Sequence, residues 1–153
     1  MILSIDPGLS GALAWVSTDG HLVAVEDMPV AKIRDKNRIV AASLAALMRE
    51  RPVDYVLIEQ VSSRPGEGAA GAFAFGYGAG LLEGCAAAIG LPVRLVTPAA
   101  WKKGAGVPAD KNGARMMASR QWPGAADQFK RVKDDGRAEA ALMGRWAILG
   151  GIK

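Results

Sequence analysis

Cysteine is nearly missing from this sequence: Cys85 is the one copy, which excludes an intrachain disulfide framework and a zinc site built on thiolates. Histidine is as scarce, and the single His21 falls in a hairpin-like stretch where a surface position is expected. No apolar run approaches the ~18 residues that a bilayer span requires, so no membrane association is expected. No secretory leader is expected either. The chain opens on the strand-like Met1-Ile2-Leu3-Ser4-Ile5, and a cytoplasmic location is the expectation. Acidic residues are unevenly spread. Residues 1–93 hold seven Lys and Arg against ten Asp and Glu, a balance of −3, whereas residues 94–153 hold twelve against five, a balance of +7. A basic C-terminal part suits a polyanionic partner, because each cation set near a phosphate releases condensed counterions; a solvated basic surface is the competing explanation.

What is present is half hydrophobic with an ordinary charged share of 22%, the composition of a globular protein. At 153 residues the chain fits one domain, 1–153. Met1–Ile5 reads as a buried strand that stops at the turn Asp6-Pro7-Gly8. Ala12–Val16 and His21–Glu26 read as two more strands, joined by Thr18-Asp19-Gly20. Apolar spacing predicts a helix over Asn37–Arg49, closed by Pro52. Tyr55–Ile58 is a short continuous apolar strand, and residues 62–71 are rich in Gly, Ser and Pro and read as a loop. A helix over Ala72–Ile89, a strand over Val93–Val96, a helical turn over Pro98–Lys102, a helix capped by Asp110 and running to Trp122, and a last helix over Arg137–Leu149 complete the pass. Three hairpin-linked strands followed by two strands on helical crossovers give an α/β fold: a mixed five-stranded sheet flanked by helices, the ribonuclease H-like order.

The carboxylates carry the chemistry. Asp6 ends the first strand and Glu59 follows the fourth; if those strands are neighbours, both acids emerge at one sheet edge. A third group, Asp134-Asp135-Gly136-Arg137-Ala138-Glu139, opens the last helix. Acids at a helix start suit its dipole, which explains Asp134 and Asp135. It does not explain Glu139, which precedes an apolar run and needs a partner or a metal. The partner of Glu139 is Asp135 or Asp134. Asp135 is favoured because four residues at 3.6 per turn leave it about 40° from Glu139, with Asp134 expected to face solvent or to cap the helix. Converging carboxylates repel one another, and hard divalent cations with oxygen ligands, Mg²⁺ or Mn²⁺, resolve that repulsion. Two such ions about 3.5–4 Å apart suit in-line displacement at a phosphodiester, so no histidine base is needed and no small-molecule cofactor is expected.

Ser4-Ile5-Asp6-Pro7-Gly8, Leu57-Ile58-Glu59 and Asp135-Gly136-Arg137-Ala138-Glu139-Ala140 resemble the three acidic motifs of RuvC-type Holliday-junction resolvases. Gly71–Gly84 resembles the segment after the second motif in phage-type members, and Val96–Lys102 with Asp110-Lys111 resembles the family's lysine-bearing segment. The likeness spans nearly the whole chain. It implies a homodimer that binds a four-way DNA junction and nicks it with two Mg²⁺ per site, Mn²⁺ substituting. It also implies ligand roles for Asp6, Glu59, Asp135 and Glu139. Lys111 would steady charge at the scissile group, and Lys102, Lys103, Lys111 and Arg115 would contact phosphates. Many cellular members space the last two acids by three residues, against four here. Phe73 would wedge against unstacked bases; core packing is its competing role. Gly76, Gly80 and Gly84 invite close helix approach, either at a dimer interface or onto the sheet, and Leu81 breaks any dinucleotide fingerprint. Trp101 and Trp122 read as core or interface. Three other functions compete: cleavage of RNA–DNA hybrids or other branched DNA by the same machinery, non-catalytic junction binding, and an actin-like ATPase, which needs two copies of the fold.

Overall fold

Strand β1 (Ile2–Asp6) lies at the centre of the sheet, and Ile2 through Ile5 are all buried. In the computed structural model, which describes every residue except 61, 63–65, 67, 109, 111 and 153, β1 pairs antiparallel with β2 (Ala12–Val16), which pairs antiparallel with β3 (Leu22–Asp27). On its other side β1 pairs parallel with β6 (Val56–Glu59), and β6 with β7 (Val93–Val96). The order is β3-β2-β1-β6-β7, the mixed five-stranded sheet expected from the strand pattern.

Side chains alternate across the sheet, and this sorts the core into two layers. Leu3, Ile5, Leu13, Trp15, Val56 and Ile58 pack with Leu44 and Met48 of α1 (Ala41–Arg49) and with Leu82 and Ala86 of α2 (Ala69–Ala88). Ile2, Ala12, Ala14, Val16 and Leu57 face the opposite layer, where Trp101 of α3 (Pro98–Ala105), Ala114 and Ala118 of α4 (Gly113–Gln121) and Ala138 and Ala140 through Met143 of α5 (Asp135–Trp146) cover them. Ser4 is the one polar residue buried in β1. Its hydroxyl donates to the Ala140 carbonyl at 2.6 Å, so a small residue on the strand and small residues on the helix bring α5 close to the sheet.

Several boundaries differ from the expectation. Asn37–Ile39 are not helical: they belong to β5 (Lys36–Ile39), which forms a separate hairpin with β4 (Val30–Ile33). Asn, Ile and Val are mediocre helix formers, and the helix starts only after an extended Val40. The hairpin lacks the usual Asn-Gly or Asp-Gly signal. Arg34 and Asp35 both take left-handed φ, 47° and 63°, which makes its two-residue turn possible without glycine. Asp110 does not cap α4 directly; its carboxylate accepts from the Asn112 N–H at 3.0 Å, ahead of the helix, and the N-cap is Asn112. The last helix begins two residues earlier than expected and turns irregular after Trp146.

Candidate active site

Residues 2 and 4 of β1 face α5, so the period of two aims Asp6 the same way. Register does the same for Glu59. Ile5 is level with Ile58, hence Glu59 follows beside Asp6 on the face that Leu57 shares with α5. Glu139 comes down from α5, one residue before the Ala140 carbonyl that Ser4 holds. Asp6, Glu59 and Glu139 each bring a carboxylate oxygen within 4.8 Å of the others. All three are half-buried.

Close contact at glycine makes the convergence possible. A Cβ on Gly136 would stand 2.6 Å from the Ser10 carbonyl, 2.8 Å from Asp6 Oδ2 and 3.0 Å from Gly11 Cα. At Gly11, in turn, a Cβ would run into the Asp6 carbonyl. The first turn of α5 and the β1–β2 turn therefore touch backbone to backbone beside the acids.

The electrostatics follow from this crowding. Burial pushes the Asp6 carboxyl well above the usual range, and the neighbouring Glu59 and Glu139 charges push it further, against a smaller downward pull from Lys102. Burial also raises Glu59, with the Glu139 charge adding to it, while a hydrogen bond from Trp101 and the Lys102 charge oppose the rise. Trp101 Nε1 donates to Glu59 Oε1 at 2.7 Å, and Lys102 Nζ lies 2.8 Å from Glu139 Oε2. Helix α3 thus supplies both an orienting donor and the local counter-cation. Three hard oxygen donors with an unmet excess of negative charge fit a divalent cation of the Mg²⁺ or Mn²⁺ type.

The other expected residues fall at varied distances from this group. Asp135 stands outside the three-acid cluster, its Oδ1 2.8 Å from Arg115 Nε. The pair is off the hydrogen-bonding axis, and neither atom has another hydrogen-bond partner among the described residues. The Arg115 side chain, 12% exposed, is turned to Asp135. Asp134 does not face solvent, and although it holds the N-cap position of α5 its side chain accepts from none of that helix's first amides. It is fully buried and accepts from the Arg131 backbone N–H at 2.7 Å and the Arg131 Nε at 2.9 Å, because the 3₁₀ turn Val132–Asp134 rotates it inward ahead of the helix. Lys103 is exposed, and Phe73 is 75% exposed rather than part of the core. A Cβ added at Gly76, Gly80 or Gly84 would meet nothing within 4 Å, so these glycines do not pack on the sheet. His21 is exposed beside Asp19, and Trp101 and Trp122 are core residues. Lys111 lies outside the described residues. The role of Trp101 is not legible in the sequence; its one signal there is adjacency to Lys102.

No protein-family model and no curated protein matches the sequence. Solved structures do. Thermus thermophilus RuvC in complex with Holliday junction substrate superposes with TM-score 0.60 at 19% identity, covering 99% of this chain and 97% of that one. Thermus thermophilus RuvC superposes with TM-score 0.59 at 21% identity, covering 99% and 98%. The Fowlpox virus resolvase in complex with Holliday junction DNA gives TM-score 0.54 at 14% identity, covering 93% and 96%. At these identities the likeness concerns the backbone: this chain carries the RuvC-like ribonuclease H fold along nearly its whole length.

Proposed function

We propose that this protein is a divalent-metal-dependent endonuclease that cuts four-way DNA junctions as a homodimer. The observation that carries the reading is the group Asp6, Glu59 and Glu139, three carboxylates within 4.8 Å on a fold shared with resolvases solved on junction DNA. Mg²⁺, with Mn²⁺ as substitute and two ions per site, would supply Lewis-acid polarisation of the phosphodiester and charge for the attacking water and the departing 3′ oxygen. Asp6, Glu59 and Glu139 hold that charge in place. Asp135 would be the fourth ligand once its side chain turned from Arg115. Trp101 keeps Glu59 oriented through its indole N–H. Lys102, which pairs with Glu139 here, would contact a phosphate with a cation at the acids, and Lys103, Lys111 and Arg115 carry the same expected role. Phe73 wedges against unstacked bases. A dimer matches a two-fold junction because each subunit then serves one strand, and the open Gly76, Gly80 and Gly84 face of α2 suits close approach of a second copy.

The test compares cleavage of a four-way junction, a flap, an RNA–DNA hybrid and a plain duplex with and without Mg²⁺. Preferential Mg²⁺-dependent nicking of the junction is expected. Preference for the hybrid moves the reading to a different ribonuclease H-like activity, and tight junction binding without cleavage under any metal leaves a binding module.

A further inference from the structure

The β4–β5 hairpin stands apart from the main sheet and takes no part in holding the acids. Its charge is unlike its surroundings. Of the seven Lys and Arg in residues 1–93, four are Lys32, Arg34, Lys36 and Arg38. The one acid between them, Asp35, pairs with Lys32 at 3.5 Å, and Lys36 and Arg38 have no acidic partner among the described residues. Register sorts the faces: Ile33 opposes Lys36 and Ala31 opposes Arg38, so Lys36 and Arg38 project from one side of the ribbon.

These two residues line a cleft of about 750 Å³ whose other wall is the N-terminal half of α2. On that wall Phe73 is 75% and Tyr77 53% exposed, and the Arg38 guanidinium sits 5.9 Å from the Tyr77 ring. Gly8, two residues beyond Asp6, lines the same cleft, which sets one end of the cleft at the turn that follows Asp6. Cations on one wall and open aromatic rings on the other are the arrangement that binds a single nucleic-acid strand: charge follows the backbone and rings take the bases. The left-handed pair Arg34 and Asp35 makes a tight turn matched to strand twist, which keeps the arm short and stiff.

We propose that the cleft receives the DNA strand leading to the phosphate that is cut, with Lys36 and Arg38 gripping its backbone across from Phe73 and Tyr77. This rests on the endonuclease reading above and adds a binding arm to it. The test is anisotropy titration of a labelled four-way junction in Ca²⁺ over a salt series, with cleavage in Mg²⁺, for wild type, Lys36→Glu/Arg38→Glu and the charge-conserving Lys36→Arg/Arg38→Lys. We expect the charge reversal to weaken binding at least about tenfold and to flatten the log–log salt slope by about two, with the melting temperature unchanged and the conserving pair near wild type. Affinity and slope within twofold of wild type overturn the inference, as does a loss that the conserving pair fails to restore. A changed sedimentation mass at unchanged affinity overturns it too, because it assigns the hairpin to contact between subunits. A wild-type protein that neither binds nor cuts junctions brings down the endonuclease reading itself, a result distinct from failure of the hairpin alone.

Discussion

Asp6 is the most heavily loaded residue of the chain. It ends a fully buried strand, two other acids face it, and its carboxyl is pushed well above the usual range by burial first and by Glu59 and Glu139 next. A raised carboxylate pKa means that the folded state binds more protons than the unfolded one between the ordinary and the raised value. Stability therefore falls as pH rises through that window. In EDTA the melting temperature is expected to climb as pH is lowered through it, and Mg²⁺ should flatten the climb; an unchanged profile on adding Mg²⁺ argues against metal at this group. By the same logic Asp6→Asn should stabilise the metal-free protein by at least about 1 kcal/mol, about 2–4 °C, while Asp6→Asn and Glu59→Gln each abolish cleavage and spare junction binding. Residual cleavage within tenfold of wild type removes that residue from the ligand set. The two acids at the start of α5 separate by readout. Asp135→Asn and Glu139→Gln are expected to lower the Mg²⁺-dependent rate at least about 10²-fold. Asp134→Asn leaves Arg131 one of its two acceptor oxygens and removes the charge it pairs with inside the protein, and should cost about 1–3 kcal/mol of stability, visible in a melt, with the rate in Mg²⁺ largely kept.

At the scale of elements, the seam between α5 and the sheet decides where Glu139 stands. Gly136 and Gly144 are two turns apart on one face of the helix, with Ala140 between them. A Cβ at Gly144 would meet Ser4 Oγ at 2.5 Å and Val16 Cγ2 at 2.8 Å. Both Gly→Ala changes overpack this seam and should destabilise by about 1–3 kcal/mol. They differ in reach. Gly136→Ala presses on Asp6 Oδ2 itself and is expected to lower the cleavage rate well beyond its effect on stability, whereas Gly144→Ala acts one helical turn past the acids and should mainly lower the melting temperature. Equal rate losses at equal stability would show that the seam has no special hold on the acidic group.

The whole molecule modifies the charge argument drawn from composition. At least four of the twelve cations of residues 94–153 are already paired inside the fold. Lys102 faces Glu139, Arg115 faces Asp135, Arg131 faces Asp134, and Arg137 faces Asp27. Fewer cations are open to a polyanion than the sequence counts, and the hairpin adds Lys36 and Arg38 from the otherwise acidic half. Binding should still be steeply salt-dependent, since each phosphate neutralised adds about 0.9 to the log–log slope. It should also favour four-way junctions over duplex of equal length, with a dimeric mass by sedimentation. Equal affinity for duplex throughout a salt titration defeats the junction reading and leaves the nuclease reading standing.

The pattern of the five strands between Ile2 and Val96 and their hairpin-then-crossover order were enough to set the main sheet, because a side-chain period of two and the chirality of crossovers leave few ways to lay these strands down. The strand ends already pointed Asp6 and Glu59 to one sheet edge, and the apolar run after Glu139 marked that residue as an inward acid. What sequence could not contain was orientation at ends and between distant elements. One 3₁₀ turn swings Asp134 into the protein and leaves Asp135 beside Arg115, a difference of backbone path rather than of residue type. The β4–β5 hairpin forms without glycine in its turn, so its local signal was weak. Trp101 reaches Glu59, and Lys102 reaches Glu139, only because α3 packs against the end of β6 and α5. Those contacts join residues far apart in the chain, where no local spacing rule applies and packing alone decides which groups meet.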